Sequence, residues 1–170
     1  MKINKRKLRL TFISLTCIVF LSLASGVKQN NLYILEIKEP RYFVEKTKKY
    51  LMVPVKLSNN TNETLSYWSM TCAWQIKYLL DSKTIKWPTE GFECISDIPT
   101  VIKVPAHGSR IDSLKFEFAD SNKLNVNFRV GIVLVKDIGK KGINYILHRH
   151  TDSVLIWSKR TKWRPAIGSY

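Results

Sequence analysis

At 170 residues, with 45% hydrophobic and 24% charged, the chain can bury one substantial core, and its seven glycines give no sign of repeats or low complexity. The net charge of +15 comes without a groove-reading or base-stacking motif, which argues against nucleic acid as a partner. A core of this size needs neither a structural metal nor dense disulfide stapling.

The N-terminus sets Lys2, Lys5, Arg6, Lys7 and Arg9 ahead of an uncharged run over residues 10–24. A helix of that run reaches about 23 Å, short of a hydrocarbon core of roughly 30 Å. A removable export signal over residues 1–26 therefore fits better than an uncleaved inner-membrane anchor, with peptidase sites after Ala24 or Gly26. Cys17 follows Thr16 inside the apolar run, which does not suit a lipoprotein signal. The expected location is the periplasm or envelope of a bacterium. Residues 27–170 keep 23 basic against 13 acidic side chains, a charge of +10. Such a surface attracts phospholipid heads and acidic polysaccharide, and the attraction weakens with salt.

After a short strand at 32–38, YLMVPVKL alternates Leu51, Val53, Val55 and Leu57 with Tyr50, Met52, Pro54 and Lys56, as a half-buried strand does. Pro54 cannot donate to a ladder, so an edge position or a bulge is expected there. NNTNET then reads as a turn leading to a hairpin or an inter-sheet arch. In the next segment Trp68, Met70, Cys72, Trp74 and Ile76 occupy one apolar face, with Cys72 inward. Further strands are expected at 77–80, 100–104, 114–118, 126–134, 143–148 and 154–158, with a Pro-Ala-His-Gly turn at 105–108. No segment beyond the export signal carries a long apolar 3.6 spacing. Seven to nine short strands indicate an antiparallel β-sandwich over 27–158, followed by a basic tail at 159–170.

VPVKLSNNTNETLSYWSMTCAW, Cys94, IPTVIKVPAHGSRIDSLKFEF and FRVGIVLV resemble a group of small, mostly uncharacterised exported bacterial proteins of immunoglobulin-like sandwich type. The likeness covers about residues 50–136. It implies the same sandwich and supplies no catalytic residues. The N-x-T and Pro/Gly turns also resemble those of bacterial intracellular proteinase inhibitors, which implies a reactive loop at 83–96. Cysteines 22 positions apart, with Trp74 two after the first, depart from antibody-type domains, so that class's inter-sheet bridge is not transferred.

Cys72 and Cys94 are the cysteines that remain after export, in a compartment where disulfides persist, and pairing them would restrict the unfolded chain by about 3 kcal/mol. Two reduced thiols or a metal pair are the competing readings, the latter without a neighbouring ligand. His148 and His150 could share one side of a strand, but two ligands make a poor metal site, so neither metal nor cofactor is expected. No G-x-S-x-G, H-E-x-x-H or phosphate-cradling loop occurs. Asn59 and Asn62 each begin a glycosylation sequon in the predicted turn. In the tail, Lys159, Arg160, Lys162, Trp163 and Arg164 are candidates for docking on an anionic membrane or glycan. The sequence thus points to a non-catalytic envelope domain that binds a protein or an anionic surface. A peptidase-inhibitor-like module and an enzyme with a dispersed site are the alternatives.

Overall fold

The computed structural model describes residues 32–89, 97–120, 122–135 and 153–165. They fold as antiparallel β structure, with a single 3-10 turn as the only helix among them and none long and apolar enough to cross a membrane. The expected export signal and the strand expected at 143–148 lie outside the described residues.

The longest strand, β3 (Lys48–Asn59), is central because alternation gives it a continuous apolar face. Leu51, Val53, Val55 and Leu57 are all buried, as their spacing requires. Each contributes roughly 1.5–3 kcal/mol by leaving water. On one side β3 pairs with β8 (Ser109–Phe118), whose last residues also meet the short β6 (Ile85–Lys86). On the other side it pairs with β1 (Tyr33–Ile37) and then β2 (Arg41–Glu45). Between Ile37↔Val55 and Arg41↔Met52, three residues of one chain oppose two of the other, which makes a bulge. Pro54 sits there, and its carbonyl accepts the Lys38 N–H at 2.8 Å. The missing donor thus falls where the ladder is already broken, so proline is tolerated in a central strand.

β4 (Leu65–Met70) leaves this sheet and pairs with β7 (Pro99–Val104), so NNTNET forms an arch between sheets and not a hairpin. Asn59 is its clamp. Fully buried, it places Nδ2 within 2.7–3.1 Å of the carbonyls of Glu63, Val104 and Pro105, while Oδ1 accepts from the Thr61 N–H and hydroxyl. The neighbouring turn is tied to the same arch: the His107 N–H donates to Thr61 O, and the Asn59 N–H to Gly108 O. His107 adopts φ 54° to make this turn and lies 2.8 Å from Asn62 Oδ1 through Nε2. The first sequon is therefore structural, since Asn59 has no exposed amide to modify.

The face expected for β4 is reversed. Leu65, Tyr67 and Ser69 point inward, whereas Trp68 and Met70 lie on the outer side and Cys72 is exposed. The strand also stops at Met70. The Asp97 carboxylate accepts the Cys72 and Ala73 N–H groups at 3.0 and 3.3 Å, drawing these donors out of the ladder. The chain then turns through a 3-10 segment, η1 (Trp74–Lys77), into β5 (Tyr78–Asp81).

β9 (Val126–Val135) organises the remaining sheet. β5 lies along one edge, and β10 (Ser153–Trp157) and β11 (Thr161–Trp163) follow each other along the opposite edge. Ser158 spans the break between them: its N–H donates to Val130 O, and its hydroxyl accepts the Val130 N–H. Phe128, Val130, Ile132 and Leu134 point into the core, as expected. β11 departs from a tail beginning at 159, because Trp163 packs against Tyr42 and Phe118 at 6.4 Å between ring centroids. The eleven described strands exceed the expected seven to nine because β2, β6 and β11 were not anticipated. Side chains from all three sheets share one apolar core.

Candidate functional site

Two ionic clusters stand out, each built from one carboxylate and two cations. The first is buried. Alternation along β8 carries Arg110, Asp112, Leu114, Phe116 and Phe118 on one face, so Asp112 enters the protein beside apolar residues. Lys77, the last residue of η1, reaches it from the opposite side at 3.5 Å, and both side chains are only 6–7% exposed. The Tyr78 hydroxyl donates to Asp112 Oδ2 at 2.8 Å, and Arg110 Nε donates to Oδ1 at 3.0 Å. The Lys77 ammonium also donates to Ser69 Oγ at 3.3 Å and lies 5.2–5.6 Å from the ring centroids of Tyr78, Trp74 and Tyr67, a cage suited to a cation.

Burial alone would raise the Asp112 pKa, but the Tyr78 hydroxyl, Lys77 and Arg110 together hold it below the usual carboxylate range. Burial pulls the Lys77 pKa down against the opposing pull of Asp112. Tyr67 is pushed up to about 12, chiefly by burial and then by the Asp112 charge. Its hydroxyl is buried without a protein partner. The Ser69–Lys77 contact pairs a hydroxyl with an amine, as nucleophilic catalysis needs. Ser69 is buried in β4. The arrangement locks β4, η1, β5 and β8 together.

The second cluster is on the surface. Arg129 of β9 and Arg160 both contact Asp81 Oδ2, Arg129 through Nε at 2.8 Å and Arg160 through Nη2 at 2.6 Å, with side chains 40–45% exposed. The arginines hold the Asp81 carboxyl below its ordinary range, the Arg129 hydrogen bond first among the causes. The Arg129 guanidinium lies 4.5 Å from the centre of the Trp157 ring. That ring lies against Gly131, where an added Cβ would come within 2.9 Å of it. Only glycine leaves the indole room to lie so close to the strand.

The tail residues singled out in the sequence do not act as one group. Arg160, Lys162 and Arg164 are exposed and alternate with Thr161 and Trp163, and pairing with β9 sets Lys162 opposite Asn127. They continue outward from Arg129 as a basic row. Trp163 faces the other way and packs on the rings of Tyr42 and Phe118. Lys159 is exposed and lies near Glu36, where it adds to the larger effect of Lys38 in lowering that carboxyl.

Cys94, His148 and His150 lie outside the described residues, among which no three His, Cys, Asp or Glu side chains gather as a metal set. Neither arginine partner of Asp81 was paired with it in the sequence reading, and Asp112 and Lys77 were not singled out. Only Asp112 left a signal, a charge two positions before Leu114 on the inward phase of β8. No known protein family matches the chain, and no curated protein or solved structure matches it either.

Proposed function

We propose that this chain is an exported, non-catalytic envelope domain of immunoglobulin-like sandwich type that docks on an anionic surface through the row Arg129, Arg160, Lys162 and Arg164. The observation that carries the reading is the anchoring of that row: Lys162 sits in the paired strand Thr161–Trp163, held by the Trp163 ring, with Arg160 and Arg164 at its two ends and Arg129 on the neighbouring strand. Ordered cations lose less conformational freedom on binding than those of a frayed tail. The antiparallel sheets around one core and the arch from β3 to β4 support the sandwich. The charged N-terminus followed by the apolar run supports export. The buried Lys77–Asp112 cluster, spent on internal partners, supports a non-catalytic role.

A Cys72–Cys94 bridge belongs to the same proposal. Past the end of the β4–β7 ladder the Thr71 N–H donates to Ile98 O and the Cys72 N–H to the Asp97 carboxylate, so Cys94 is three residues from a residue already hydrogen-bonded to Cys72. About 10 Å of extended chain spans that interval.

Co-sedimentation with phosphatidylglycerol vesicles tests the docking. The wild type is expected to pellet with them and not with neutral phosphatidylcholine vesicles, and to be released by high salt. Lys162→Glu combined with Arg164→Glu should abolish pelleting without changing the melting temperature. Equal pelleting on both lipids, or an unaffected variant, contradicts the reading.

A further inference from the structure

We propose that Arg129 and Arg160 form a discrete phosphate-binding site on the outer face of β9, with Asp81 and Trp157 as its positioning residues. The proposal deepens the docking reading and rests on the same outward basic row, but it assigns a stoichiometric site and a ligand class. One oxygen of Asp81 is shared by Arg129 Nε and Arg160 Nη2, which brings the two guanidiniums side by side around one carboxylate, so that an oxyanion beside Asp81 can take up donors of both. One carboxylate against two arginines leaves a net positive charge. Each guanidinium carries five N–H donors and spends one on Asp81, so both retain donors for a ligand.

The centre of the Trp157 ring lies 4.5 Å from the Arg129 guanidinium, and Gly131 lets the indole sit close to the strand. Held between that ring and the Asp81 carboxylate, the guanidinium loses less freedom when a ligand arrives. Both arginines are nearly half exposed and so accessible. Asp81 already holds both guanidiniums through one oxygen, and a phosphate monoester suits the donors left over better than a second carboxylate does, since it brings three terminal oxygens where a carboxylate brings two. Lys162 and Arg164 flank the site with further positive charge.

The test is titration of the full chain with inorganic phosphate, followed by NMR at the Trp157 indole N–H and the Arg129 Nε–H, with sodium chloride at matched ionic strength as control. Saturable shifts are expected in the wild type, and at least tenfold weaker binding in Arg160→Gln. Absence of saturation, or equal shifts in chloride or in Arg160→Gln, overturns the site. Vesicles containing phosphatidic acid identify the source once the site is established: Arg160-dependent pelleting assigns a lipid headgroup, and saturable phosphate binding without such pelleting assigns a soluble phosphate. If pelleting on phosphatidylglycerol depends on Lys162 and Arg164 while phosphate does not saturate, the docking reading stands and this site falls. Saturable phosphate binding without pelleting on any vesicle leaves the site standing and removes the docking reading.

Discussion

Asp112 and Asp81 face the same chemical problem in two solvents. Each carboxylate holds two cations, yet Asp112 and Lys77 are sealed between strands, with Arg110 reaching Asp112 from the surface, while Asp81 with Arg129 and Arg160 remains open to water. The buried site needs every partner, since an ion taken out of water must be compensated locally. Tyr78, Ser69 and a cage of aromatic rings supply that compensation. In the open site water compensates any group left unpaired, so donors can stay free for a ligand. Similar charges therefore serve to lock the fold in one place and to present a surface in the other.

The largest expected effect is from Asp112→Asn. Removing one partner leaves Lys77 buried with its charge uncompensated, and urea unfolding should show a loss of about 3–5 kcal/mol. Lys77→Met combined with Asp112→Leu should recover most of that loss, because a well-packed apolar pair replaces an ion pair with little penalty. A double variant no more stable than Asp112→Asn would show that the cluster is not a closed unit.

Gly131→Ala probes the open site. With the new methyl crowding the Trp157 ring, a melting curve should show a loss of about 1–3 kcal/mol, and the Trp157 indole N–H should move as the stacking on Arg129 is disturbed. An unchanged indole resonance would separate Gly131 from the arginine site.

Acid titration gives the smallest effect. Both carboxyls are held below their ordinary range, so their contribution to stability is present above about pH 4 and lost as pH falls through the lowered native values. High salt should weaken the Asp81 part and leave the Asp112 part, because only the exposed pairs are screened. Urea midpoints followed against pH at two salt concentrations check this. An acid limb in Asp112→Asn as steep as in the wild type would contradict it.

The extended core strands were legible because one phase of each is apolar throughout, as in Leu51 to Leu57, Leu114 to Phe118 and Val126 to Leu134, while the other phase carries charged or polar residues. Tyr67 beside Trp68 offers an aromatic residue to both faces of β4, and burial of Tyr67 decided the phase. The end of β4 was hidden because it depends on Asp97, distant in sequence, capturing the Cys72 and Ala73 N–H groups. β11 was masked by composition: Lys162 and Arg164 bracket Trp163 and read as solvent-facing until the register with β9 separates them. Pro54 did announce its bulge. The ion clusters were less accessible, since Lys77 with Asp112 and Asp81 with Arg129 are long-range pairs that alternation alone cannot match.

The most direct test of this division of labour is pelleting on phosphatidylglycerol vesicles of two folded variants, Lys77→Met/Asp112→Leu and Arg129→Gln/Arg160→Gln. The first is expected to bind as the wild type does, because its charges lock the interior, and the second to lose most of its binding. Loss of binding by the first, with its melting curve intact, or full binding by the second, would contradict the separation of a structural cluster from a presenting one.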